Sequence, residues 1–354
     1  MGSPDFTNRT LYGEQTDGLR YVWTVWLVIM LFPSLFGNTT ILVASLKYRA
    51  IKLHRVIVMF VEHIAMLDLA LAISCLIPKT ASLIADQWFL GRGLCYYVVM
   101  ATYYGHAAKL MYIAAITTCK WVLLSYPLKA KAWFRKRASL FLGVFILILS
   151  TGLPISFLVV DREDVSFDYR TYICAYGYTS DIWQWLQIVL SVVLGFIPMI
   201  IIVIMSALLV SHLLKAKRSA ARSRGSFRWQ GLITVQMTAA LYILSYLPFI
   251  SYMVVDALTE QSDLRLRTSF YPLYHRLAKE SMWLSVMYNV FIYAFTVKSF
   301  RDYLKGEVRQ RLSTVSFPGT KYPAKSIFNI KNVIYCPYPS HFYCVSFKDL
   351  ALSI

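Results

Sequence analysis

Two lysines stand where a lysine is costly. Lys109 and Lys120 fall within residues 95–124, an apolar run of membrane-helix length. Cys95, Thr102, His106, Lys109, Ile113, Ile116 and Lys120 follow one another mostly by steps of three and four, so they share one helix face. An ammonium near the centre of a bilayer costs about 2.5–3.5 kcal/mol even on lenient scales. The chemistry such a stripe can do is charge pairing and ligand contact. Little else in the chain suggests bond-making. There is no Gly-x-Ser-x-Gly elbow and no Gly-rich phosphate loop. The cysteines are Cys75, Cys95, Cys119, Cys174, Cys336 and Cys344, with no Cys-x-x-Cys pair and no Cys/His cluster of zinc-like spacing. Neither an enzyme, a cofactor nor a metal site is expected.

Composition says what must position the stripe. Of 354 residues, 58% are hydrophobic and 15% charged, against about 25% charged in a soluble domain. The 36 basic and 18 acidic residues give +18, but the basic residues gather in short loops between apolar runs. That is a topology signal, and no nucleic acid is expected as partner. A bilayer core about 30 Å thick needs about 20 apolar residues per helix. The runs 21–46, 56–84, 95–124, 138–160, 182–214, 229–257 and 278–298 qualify. All should be helical, since lipid offers open strand edges no partner. The fold class expected is an all-α membrane protein, a seven-transmembrane helix bundle. Residues 1–20 show no apolar core after a basic start, so no cleaved signal peptide is expected.

The loops set the orientation. Lys47, Arg49, Lys52 and Arg55 follow the first run, Lys129, Lys131, Arg135, Lys136 and Arg137 the third, and Lys215, Lys217, Arg218, Arg222, Arg224 and Arg228 the fifth. Residues 161–181 instead hold Asp161, Glu163, Asp164, Asp168 and Asp181 against Arg162 and Arg170. Positive loops stay cytoplasmic. The domain plan is then an extracellular N-terminus (1–20), the membrane domain (21–298), an amphipathic basic helix on the inner membrane lipid (299–312) and a disordered cytoplasmic tail (313–354). Asn8-Arg9-Thr10 is a glycosylation acceptor on the outer side, whereas Asn38-Thr39-Thr40 lies inside a helix.

Markers in order along the chain carry a resemblance. They are Gly37-Asn38, Leu67-Asp68-Leu69, Pro78, Trp88-Phe89-Leu90-Gly91, Cys95, Cys174, Pro198, Tyr246-Leu247-Pro248, Asn289-Val290-Phe291-Ile292-Tyr293 and Phe300. Over residues 21 to about 310 the chain resembles the rhodopsin-like G-protein-coupled receptors. It also departs from them. Cys119-Lys120-Trp121 stands for the usual Asp-Arg-Tyr, Ser245-Tyr246-Leu247-Pro248 for Cys-Trp-x-Pro, and Val290 for the proline of Asn-Pro-x-x-Tyr. Val144 and Phe145 lie near the place of the usual tryptophan, and Ser206 takes the place of a tyrosine.

The resemblance implies a Cys95–Cys174 disulfide at the oxidising outer face. It implies a ligand pocket lined by Thr102, Tyr103, His106, Tyr246 and Trp283; the same aromatic residues would also suit packed helix interfaces. Thr102 sits where amine receptors have an aspartate, and Trp283 where opsins have the retinal lysine. The expected ligand is therefore extracellular, a peptide or a small non-amine molecule. In the family the aspartate matching Asp68 takes part in a sodium site. Counted from the inner helix ends, Asp68 lies at roughly 18 Å and Lys109 at roughly 22 Å, the same layer within a turn. Lys109 is expected to replace the ion, with Asn38, Ser285 and Asn289 completing the cluster; snorkelling or a neutral amine is the alternative.

Cys119, Lys120 and Trp121, with Pro127, Asn289 and Tyr293, take the places of the family's G-protein switch. Lysine keeps the charge of the usual arginine but not its five-donor fork. With Cys119 beside it, Lys120 has no adjacent acid; Glu62 is the nearest candidate in sequence terms. Raised basal signalling and weak coupling both fit. The implied partners are a heterotrimeric G protein and arrestin, at the plasma membrane. The rival reading is a non-coupling decoy, scavenger or partner subunit.

Overall fold

The computed structural model describes residues 17–46, 55–152, 154–155, 165–168, 171–176, 189–190, 192–222, 230–258, 271–298 and 300–306. The Asn8 sequon, most of the 47–55 loop, Arg224 and Arg228, and the 313–354 tail with Cys336 and Cys344 lie outside these.

The chain forms a seven-helix bundle. The first helix runs Asp17–Phe32 and Asn38–Leu46 around a π turn at Pro33–Gly37, and the second runs Arg55–Leu71 and Ile77–Ala85 around one at Ala72–Leu76. The third is unbroken over Gly91–Ser125, and a short helix, Pro127–Trp133, leads to the fourth at Lys136–Ser150. The fifth comprises a π turn at Val192–Phe196 and Ile197–Arg222, the sixth is Gln230–Leu258, and the seventh is Tyr271–Met287 followed by Asn289–Thr296. Two of the π turns precede a proline, Pro78 or Pro198, by a few residues. A proline ring clashes with the carbonyl four residues back, and one wider turn relieves the clash. Those carbonyls belong to Ser74 and Leu194, each inside its π turn.

Four helices among the described residues are long and apolar enough to cross a membrane, Arg20–Leu46, Arg55–Ala85, Gly91–Ser125 and Val192–His212; Arg137–Ser150 is apolar but shorter. Large apolar side chains such as Phe141, Ile148, Leu244 and Phe295 are exposed, as a lipid-facing surface requires. Two expected boundaries move. The seventh helix begins at Tyr271 rather than 278, because His275 and Arg276 lower the hydropathy of its first turns without breaking the helix. The fifth extends to Arg222 rather than 214, carrying Lys215, Lys217 and Arg218 on helical backbone.

Close helix approaches fix the layer that holds the site. A Cβ on Gly37 would stand 2.6 Å from Val290 Cγ1, so the first helix lies directly on the seventh. A Cβ on Gly105 would meet Leu71 Cδ2 at 2.7 Å, so the third lies on the second. The seventh helix is interrupted at Tyr288 although Val290 replaces the family's proline. Where the usual tryptophan of the fourth helix is missing, the Tyr112 hydroxyl donates to the Gly143 carbonyl at 2.9 Å. Tyr112 also stacks on His63, with ring centroids 5.3 Å apart.

The loop after the fourth helix contributes a hairpin, β1 (Val165–Asp168) and β2 (Ile173–Tyr176), antiparallel with Phe167 opposite Cys174. Cys174 is disulfide-bonded to Cys95, across 79 residues of sequence. The hairpin marks the outer end of the bundle expected from the loop charges.

Candidate functional site

Below the hairpin lies a cavity of about 120 Å³ with an open mouth. Its lining includes all five residues expected there, Thr102, Tyr103, His106, Tyr246 and Trp283. The three-to-four spacing on the third helix presents Thr102 and His106 one turn apart, and the sixth and seventh helices supply Tyr246 and Trp283. His106 Nδ1 and the Tyr246 hydroxyl are 2.5 Å apart. The imidazole meets the Tyr246 and Trp283 rings edge-on, at 5.6 and 5.3 Å between centroids. His106 Nε2 is buried and has no hydrogen-bond partner among the described residues. The Thr102 hydroxyl donates back to the Val98 carbonyl at 2.7 Å, which leaves it little to offer a ligand as donor. Ile173 and Cys174 of β2 roof the cavity.

One turn below His106 the polar core begins. Lys109 and Asp68 are fully buried and form an ion pair through Asp68 Oδ1. Asn289 Nδ2 donates to Asp68 Oδ2 at 2.6 Å, and Lys109 Nζ donates to the Ser285 hydroxyl at 3.0 Å. Asn38 joins from the side, donating to the carbonyls of Ser34 at 2.8 Å and Val286 at 2.9 Å rather than to the carboxylate. These residues do not fit a sodium ion: the ammonium already stands where a cation would neutralise Asp68. A ladder of rings joins core to cavity. Lys109 Nζ is 5.4 Å from the centre of the Tyr242 ring, and Tyr242 stacks on Tyr246 at 6.0 Å.

At the inner end, Cys119 is buried and Lys120 half-buried. Trp121 meets Tyr126 edge-on at 5.7 Å, Lys129 Nζ lies 5.8 Å from the Tyr126 ring centre, and Pro127 opens the short helix. Glu62 accepts a hydrogen bond from Ser45 on the first helix. Thr234 donates to Thr296 at 2.8 Å, and Gln236 Nε2 to the Ser206 carbonyl at 3.2 Å, tying the sixth helix to the seventh and fifth. Tyr293 is buried against Phe300, with rings 6.3 Å apart.

The outer end holds further charges that the sequence reading does not single out. Lys79 and Glu280 are a second buried pair, 2.5 Å apart, and Lys79 Nζ lies 5.5 Å from the Trp283 ring centre. The cost argument that marks Lys109 applies equally to Lys79. Asp86, in the left-handed conformation at φ 56°, ends the second helix and pairs with Arg20 at 3.1 Å. The Tyr172 hydroxyl donates to Asp86 at 2.9 Å. Burial, then this bond to a carboxylate, push that hydroxyl up to about 12, so it remains a donor at neutral pH. Arg276 lies over the Trp23 ring at 4.5 Å and the Tyr172 ring at 5.6 Å. Lys279 reaches from the seventh helix to Asp168 of β1 at 3.4 Å. The hairpin is thus fastened by a disulfide to the third helix and by polar contacts to the second and seventh.

Residues 37–293 match the family described as 7 transmembrane receptor (rhodopsin family). The chain is 20% identical to a QRFP-like peptide receptor of Branchiostoma floridae, over 86% of this chain and 81% of that one. It is 23% identical to neuropeptide FF receptor 2 of Rattus norvegicus, over 77% of this chain and 69% of that one. Among solved structures, squid rhodopsin superposes with a TM-score of 0.70 at 15% identity, covering 87% of this chain and 85% of that one.

Proposed function

The chain belongs to the rhodopsin family of seven-transmembrane receptors, and from that premise we propose that it is a peptide receptor of the plasma membrane that couples to heterotrimeric G proteins. It is a multi-pass membrane protein of a receptor family rather than of an enzyme family. The observation that carries the finer reading is the roofed cavity, lined by Thr102, Tyr103, His106, Tyr246 and Trp283, in a chain similar to peptide receptors.

The N-terminus is outside and the C-terminus inside, as the basic loops direct. A peptide entering beneath the hairpin contacts Tyr246 and Trp283. Tyr246 passes the change through Tyr242 to the Lys109–Asp68 layer, favouring one of two arrangements of the bundle. The sixth helix is held at its inner end by neutral hydrogen bonds from Thr234 and Gln236, each worth about 0.5–1.5 kcal/mol net. Ligand binding of ordinary strength can offset these and open the inner face, where Cys119, Lys120, Trp121 and Pro127 meet the G protein and arrestin. Asn289 and Tyr293 link core to inner face.

A second reading has a specific observation behind it. Cys119-Lys120-Trp121 replaces the family's switch and Val290 its proline, which favours a non-coupling decoy, scavenger or partner subunit. G-protein dissociation in cells separates the two. Neuropeptide FF and peptide extract are applied to surface-verified receptor across a panel of G-protein families. Dissociation of at least one family supports coupling; silence across the panel, with ligand internalised, supports the decoy.

A further inference from the structure

The cavity has a sign. Among the described residues that line it there is no carboxylate, and Lys279 is the one ammonium or guanidinium. Among the described residues the acids nearby are already engaged. Glu280 faces Lys79, away from the cavity lining, and Asp68 faces Lys109 below it. Asp168 accepts from the Thr171 hydroxyl at 2.7 Å and stands 3.9 Å from His275 Nε2, and its 3.4 Å contact with Lys279 is longer than the first of these. Lys279 is partly exposed and has three protons to donate. Among the described lining residues a cationic ligand end would meet the Lys279 ammonium and no carboxylate, whereas an acceptor oxygen would gain a charge-assisted hydrogen bond.

The spacing adds a shape. Lys279 sits one helical turn, about 6 Å, above Trp283. Trp283, His106 and Tyr246 form an edge-on aromatic floor, suited to a planar ring. A ring and a carboxyl group two or three bonds apart span that turn. Resting on the receptor reading above, we infer that Lys279 is a specificity-determining residue, selecting a ligand end that is an aromatic ring tipped by an acceptor oxygen, carboxylate before carboxamide, and rejecting a cationic tip. Asp168 is the intramolecular competitor for the same ammonium.

The test uses three probes with one ring and three tips, 3-phenylpropanoate, 3-phenylpropanamide and 3-phenylpropylamine, read by heat unfolding of the purified full chain. The carboxylate half-saturates at about a tenth of the amide concentration, one factor of ten for a charge-assisted bond, and the amine gives no shift. K279M removes the ranking, K279R keeps it, and D168N strengthens the carboxylate response. An amine as effective as the carboxylate, an unchanged ranking in K279M, or no shift with any probe overturns the inference. The wild-type and K279R rankings decide it even where K279M fails to fold. The readout needs no G protein, so a silent coupling assay with the ranking intact would sink coupling and leave the pocket assignment standing.

Discussion

The cavity and the polar core share the third and seventh helices, one turn apart, yet they place buried charge differently. In the cavity, His106 Nε2 has no hydrogen-bond partner among the described residues, and Lys279 has one long contact. In the core, the Asp68 carboxylate meets both an ammonium and an amide, and Lys109 also reaches Ser285. Asn38 Oδ1 beside the core is as unpartnered among the described residues as His106 Nε2, so what separates the regions is charge: the Asp68 carboxylate is neutralised inside the core, whereas Lys279 stands partly exposed at the cavity. We propose that Lys109 supplies to Asp68 the positive charge that the resemblance assigns to a sodium ion in the family.

Substitutions separate the two regions by size of effect. The largest is expected from Lys109→Met. It strands the Asp68 carboxylate in the bundle and costs about 3–5 kcal/mol, read as loss of surface expression and a lower unfolding temperature. Adding Asp68→Leu should recover most of that loss; a double variant as unstable as the single would mean the two side chains are not a pair.

Cys174→Ser comes next. Opening the 79-residue disulfide loop costs about 2–4 kcal/mol and lifts the roof from the cavity, so ligand response falls more than core stability does. A full ligand response in this variant would break the link between hairpin and pocket.

Tyr246→Phe removes the hydroxyl from His106 at a cost of about 1 kcal/mol. Ligand potency should drop while the salt response of the core stays unchanged. The smallest structural change is Thr234→Val, which releases one bond to Thr296. Basal G-protein dissociation should rise with the unfolding temperature barely moved. A fall in basal signalling would instead make that bond part of the active arrangement.

Much of this was legible from spacing. The three-to-four repeat through Thr102, His106 and Lys109 put pocket and core residues on one face, and the layer count from the inner helix ends put Lys109 opposite Asp68. The Lys79–Glu280 pair lies inside the expected runs 56–84 and 278–298 and was open to the same cost argument as Lys109; what was missing was a register between the outer turns of those two helices. The π turns at Ala72–Leu76 and Val192–Phe196 were legible only as prolines; a sequence shows the clash but not how a helix relieves it. The break at Tyr288 had no sequence signal, since Val290 carries none of proline's constraint.

The most direct test of the built-in counter-charge is heat unfolding of the purified chain in sodium chloride against choline chloride at equal ionic strength. The account predicts superimposable curves, with Lys109→Ser gaining a sodium-dependent rise. A rise in the wild-type chain with sodium would contradict it, because the carboxylate would then still have room for the ion.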